Sequence, residues 1–203
     1  MRHAFSFPVE VRHAVRAFVE DAVLKVSGIR FLQEPAYIAA LMGRLVGIAY
    51  DGPYGFVELK PTVVDSQVTE PWFGADFAIT ADIRSRETAI LKAIVAQAKR
   101  GALTDLSTSA RERLIKQVHL MRDYTRSPKV MLIPQSGGMR RPVMVSGVRL
   151  LGGQKTKPVG LADYFVRRVL PTLDGDTRPG FVEAVQESRL TQLRVRARLD
   201  VTP

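Results

Sequence analysis

EPWFGADFAITADIRSRETAILKAIVAQAKR, residues 70–100, is the stretch that decides the fold. From Asp76 to Ile83 the apolar residues Phe77, Ile79, Ala81 and Ile83 fall on one face, the period of a strand. From Ile90 to Lys99 the run is nearly all apolar, as in a strand buried on both faces. Arg84-Ser85-Arg86-Glu87-Thr88 between them is polar and has the length of a hairpin loop. If Arg84 pairs with Ala89, Asp76 falls opposite Gln97. Directly opposed side chains share a face, with Cβ atoms roughly 5 Å apart. Lys99 lies two residues beyond Gln97 and shares that face. The hairpin then gathers a carboxylate, an amide and an ammonium at its open end. A slip of one residue would scatter them. Polar groups at the end of an apolar strand are paired, or they work.

Composition narrows the partners. The chain has 203 residues, 46% hydrophobic, and a formal net charge of +10. One domain is expected. It divides into an N-terminal helix (1–30), a core region (31–135) and a C-terminal extension of that core (136–203). The positive balance favours a polyanion, either nucleic acid or an anionic membrane surface, with plain solubility as the alternative. There is no cysteine, which removes disulfides, thiolate metal sites and a cysteine nucleophile. This fits a reducing cytoplasm. The N-terminal MRHAFSFPVEVRHAV is broken by charge too early for a signal-peptide core. No apolar run approaches the roughly 20 residues of a membrane span, so no membrane partner is expected. The histidines, His3, His13 and His119, are too few for a histidine-rich metal site, and no serine-centred triad suggests itself.

Outward from the hairpin, Pro8 to Ser27 reads as an amphipathic helix. Val11, Val15, Phe18, Ala22 and Val26 line it, and Gly28 is its stop. It caps the core or serves a dimer contact. Glu34-Pro35 opens a second helix reaching about Gly47. Glu34 there is a carboxylate matched to the helix dipole, or a charge pointing into a site. Asp51-Gly52-Pro53 is a turn, and Tyr54 to Lys60 a strand that Thr62 to Val64 extends. Gly74 leaves room for close backbone approach or a bulge beside the cluster. Ser109-Ala110-Arg111-Glu112 is a capping box, followed by Leu114, Val118 and Met121 on one face with Gln117 on the flank. Lys129 to Ile133 is a strand, and Val143 to Leu151 another. Gly152 to Lys157 is a basic loop without the spacing of a phosphate-binding motif. Leu161 to Leu170 and Phe181 to Glu187 are helical, with a turn at Asp174-Gly175-Asp176. Leu193 to Val201 alternates strictly and carries Arg194, Arg196 and Arg198 on one face. It reads as an edge strand protected by charge, with a phosphate-tracking stripe as the alternative.

Glu70, Gly74-Ala75-Asp76 and Gln97-Ala98-Lys99 resemble the core motif of the PD-(D/E)XK nucleases, the restriction-endonuclease-like superfamily. The order of elements from Glu34 to Pro134 is similar to that family's. The resemblance implies an α/β fold with a three-layer core, a central mixed sheet flanked by helices. It implies a Mg²⁺- or Mn²⁺-dependent endonuclease. Asp76 would ligate metal, and Lys99 would orient the attacking water and stabilise charge in the transition state. Gln97 stands where the family usually has Glu or Asp, and its carbonyl oxygen can still ligate metal or position water. That makes a second carboxylate more important, with Glu34 and Glu70 as candidates. Ala75 replaces the usual proline. Arg100, Arg140, Arg141, Lys155 and Lys157 are expected to contact nucleic acid, with DNA the first expectation. A homodimer or a targeting subunit, and a role in restriction or phage defence, follow from the same resemblance. The alternative is an inactive nucleic-acid-binding module on the same fold.

Overall fold

The computed structural model describes residues 5–27, 29, 31, 33–62, 73–135 and 141–200. Glu70, Arg140, Gly28 and the Val63–Val64 end of the expected strand lie outside them. Among the described residues the strands are β1 (Gly47–Gly52), β2 (Gly55–Thr62), β3 (Phe77–Arg84), β4 (Ala89–Arg100), β5 (Lys129–Ile133), β6 (Val143–Ser146), β7 (Val159–Gly160) and β8 (Thr191–Leu199). They form one mixed sheet in the order β1-β2-β8-β3-β4-β5-β6-β7. The pairs β3–β8 and β4–β5 are parallel, and the other neighbouring pairs are antiparallel.

The central hairpin forms in the expected register. Arg84 pairs with Ala89 and Phe77 with Ala96, and the Asp76 N–H donates to the Ala96 carbonyl at 2.9 Å. Lys92 to Ala98 of β4 are buried on both faces, which accounts for the apolar run.

Helices pack on both sides of the sheet. On one face lie α1 (Val9–Ser27), α2 (Glu34–Arg44) and α5 (Leu161–Tyr164), the last continued by a π-helical turn, Phe165–Val169. Val11, Val15, Val19 and Val26 of α1 are buried there, so this helix caps the core. On the other face lie α3 (Thr108–Tyr124), α4 (Gly147–Leu151) and α6 (Pro179–Glu187), around Leu114, Val118, Phe181 and Val185.

Several elements depart from the sequence reading. Helix α2 ends at Arg44, and β1 takes up Gly47 to Gly52, where no strand was expected. Gly47 has φ +136°, a backbone that suits a change of direction and not a helix. The N-cap of α3 is Ser107, whose hydroxyl accepts from the Ala110 N–H at 3.3 Å, not Ser109. Of Val143 to Leu151 only the first four residues are strand. Ser146 then caps α4 by accepting from the Arg149 N–H. The alternating strand β8 is interior, between β2 and β3, and not an edge. Its arginines are exposed because no helix covers that part of the face. Two of the three meet carboxylates: Arg196 is 3.7 Å from Glu58, which Lys60 also pairs at 3.0 Å, and Arg198 is 3.0 Å from Asp200.

Candidate active site

The site is built at the end of the β3–β4 hairpin, where β4 outruns its partner. Asp76 immediately precedes β3, and Gln97 and Lys99 occupy alternate positions of β4. One oxygen of Asp76, Oδ2, accepts from the Ala98 backbone N–H at 2.8 Å and from Nε2 of Gln97. The Gln97 amide also donates to the Ala98 carbonyl at 3.2 Å. The Gln97 oxygen, Oε1, is buried with no hydrogen-bond partner among the described residues. A buried amide oxygen without a donor carries a desolvation cost of about 1–3 kcal/mol.

Burial raises the Asp76 carboxyl above its ordinary value. The Ala98 N–H, the Lys99 charge and the Gln97 amide oppose that rise, and the Glu34 charge adds to it. Glu34 and Lys99 are therefore both close enough to act on Asp76. Glu34 arrives from the start of α2, and its Oε1 accepts from the Arg100 N–H at 3.3 Å. It reaches across to the end of β4 as well as standing at a helix N-terminus.

Gly74 explains why the segment entering the site can lie so close to α3. Its φ is +62°, and a Cβ there would sit 2.6 Å from the Gln117 carbonyl oxygen and 3.0 Å from Leu120 Cβ. The close approach expected at this glycine is present, made to a helix. Gln117 also holds a buried side-chain oxygen with no hydrogen-bond partner among the described residues.

The structure thus brings together Asp76, Gln97, Lys99 and Glu34. The expected nucleic-acid contacts are scattered. Arg100 is half-buried, and its guanidinium donates to the Phe31 carbonyl at 3.1 Å. Arg141 is 3.8 Å from Glu20 of α1. Lys155 and Lys157 are exposed in the loop between α4 and β7.

A second polar cluster was not foreseen. Lys92 is fully buried, and its ammonium donates to the carbonyls of Val169 (2.7 Å), Asp174 (2.7 Å) and Arg168 (3.4 Å). Lys129 pairs with the Asp174 carboxylate at 2.9 Å. The signal was a lysine inside the apolar run Ala89 to Ala98. Its acceptors come from the π-helical turn and the loop after it, which no local pattern ties to β4.

Asp76 and Gln97 offer a hard cation a carboxylate and an amide oxygen, and Glu34 is the carboxylate whose charge acts on Asp76. Among the described residues no group of three His, Cys, Asp or Glu side chains lies together as a metal site, so Gln97 would have to supply the third oxygen. Its unpartnered Oε1 is available for that if the amide turns over, an orientation that hydrogen bonding alone decides. Compared with protein-family models, curated proteins and solved structures, the chain gives no match. No helix among the described residues is long and apolar enough to cross a membrane.

Proposed function

We infer that this chain is a metal-dependent nuclease that hydrolyses phosphodiester bonds, with DNA as its first expected substrate. The observation that carries the reading is the convergence of Gln97, Lys99 and Glu34 on the half-buried carboxyl of Asp76. The order α2, β1, β2, β3, β4, α3, β5, one strand more than the resemblance predicts before the hairpin, is the support for assigning residues 34–133 to a restriction-endonuclease-like core.

Asp76, Glu34 and Gln97 would hold Mg²⁺ or Mn²⁺. When bound, the cation supplies charge stabilisation for the phosphoryl oxygens and the leaving oxygen. Asp76 and Glu34 repel each other without it, so their proximity favours a cation. Lys99 adds a fixed positive group beside the phosphate and a donor to orient the attacking water. A restriction or phage-defence effector, working as a dimer or with a targeting subunit, is the biological setting in which such an activity fits.

The test is cleavage of supercoiled plasmid and of single strands in Mg²⁺, Mn²⁺ and EDTA. The wild-type protein is expected to cut only with metal. Asp76→Ala and Lys99→Ala are each expected to lose about 100-fold or more in rate. Cutting that survives both substitutions would place the chemistry elsewhere. One observation favours a second reading, an inactive binding module. The Gln97 N–H already satisfies Asp76 with no cation. Salt-sensitive nucleic-acid binding with no cutting in either metal would support that reading instead.

A further inference from the structure

The net charge of +10 must be carried somewhere, and on the exposed face of β8 two of the three arginines, Arg196 and Arg198, face carboxylates. Glu58 serves Arg196 and Lys60, Asp82 serves Arg84 at 2.8 Å, and Asp200 serves Arg198. Helix α3 differs. Arg111, Arg113, Lys116 and Arg122 are exposed. Among the described residues none of them is in an ion pair.

These four cations divide between two flanks. Leu114, Val118 and Met121 face the sheet. Gln117 and Leu120 lie against Gly74, and the Tyr124 ring meets Phe73 with centroids 5.0 Å apart. That flank therefore borders the segment leading into Asp76. At about 100° per residue Arg113 falls on the same flank, one turn before Gln117, and Lys116 beside it. Arg111 and Arg122 fall on the opposite flank, towards α4. The helix's carboxylates, Glu112 and Asp123, fall about 20–40° round from Lys116 and about 80–100° from Arg113. Helix α3 begins just after β4 delivers Lys99, so Arg113 and Lys116 rise at the sheet end that carries the cluster.

We propose that Arg113 and Lys116 form a phosphate-binding rail for a nucleic-acid strand whose reacting phosphate lies at Asp76 and Lys99. This rests on the nuclease reading for its placement, and it is tested by binding alone. Charge complementarity and position choose the occupant. Arg113, whose Nε donates to the Ser109 carbonyl at 3.4 Å, and Lys116 are both outside any ion pair among the described residues and lie on or beside the flank that meets Gly74, and they fit successive phosphates of one backbone.

The experiment measures anisotropy of a fluorescein-labelled 20-base-pair DNA duplex, with the same sequence as single-stranded DNA and as RNA, all in EDTA. Arg113→Ala/Lys116→Ala is compared with Arg111→Ala/Arg122→Ala, which removes equal charge from the other flank of the same helix. Thermal melting checks that both stay folded. The first pair is expected to weaken binding about tenfold and to reduce the slope of log K against log salt by about two. The second pair is expected to stay within about twofold. Equal losses in both pairs, or no loss in the first, would overturn the rail and leave the Asp76 chemistry standing. Binding to phosphatidylserine vesicles with none to any nucleic acid would overturn the rail and the nuclease reading together. The chemistry is read separately, as cleavage of the same duplex in Mg²⁺, where Asp76→Ala abolishes cutting on the nuclease reading. Failure of the rail and failure of the chemistry are therefore told apart.

Discussion

Lys92 shows what a single buried charge does to this fold. Its ammonium has three donors and finds three carbonyl acceptors. Burial nonetheless lowers its pKa from 10.5 to about 7, with Lys129 adding to the fall and Asp174 opposing it. Between those values the unfolded chain holds a proton that the folded chain lacks. Stability from this group is therefore fully present above 10.5 and is lost as pH falls through 7. Urea unfolding of wild type and Lys92→Met is expected to show this as a difference between two profiles. Relative to the variant, the wild type gains about 3 kcal/mol between pH 6.5 and 9.5, at about 1.4 kcal/mol per pH unit. Parallel profiles would contradict it. At this scale the sequence revealed the Asp76–Gln97 juxtaposition because a period of two and a short loop fix a hairpin register. It did not reveal the Ala98 N–H on Asp76 or the acceptors of Lys92. The first is a main-chain contact, and the second joins segments more than seventy residues apart.

Strand β8 and helix α3 show where element-scale patterns inform and where they mislead. Alternation correctly announces a strand with one buried face. It says nothing of neighbours, so the charged face read as an edge although β2 and β3 pair with it on both sides. For α3 the buried stripe was legible. The start was not, because Ser107 and Ser109 both precede apolar positions, and backbone geometry decides which one caps. Ser107→Ala is expected to cost about 1 kcal/mol in denaturant unfolding, and Ser109→Ala far less. The reverse order would restore the capping box at Ser109. The missed β1 has the same kind of cause: Gly47-Ile-Ala-Tyr is too short and too mixed to separate from the helix before it.

On the scale of the whole molecule, the sheet's two covers are uneven. One face is sealed by α1, α2 and α5. The other carries α3, α4 and α6 but leaves Arg194, Arg196 and Arg198 of β8 exposed. The α/β class and the central hairpin were legible from periodicity. The order of eight strands was not, because β8 comes last in sequence and sits between β2 and β3. Such long-range pairing leaves no local trace. The account rests on Asp76 being a cation site whose amide neighbour answers the carboxylate when no cation is bound. Calorimetric titration with Mn²⁺ tests that most directly. Wild-type protein is expected to bind the ion, and Asp76→Ala to bind it about tenfold more weakly or worse. Mn²⁺ binding unchanged by Asp76→Ala, or none by the wild type, would contradict the account.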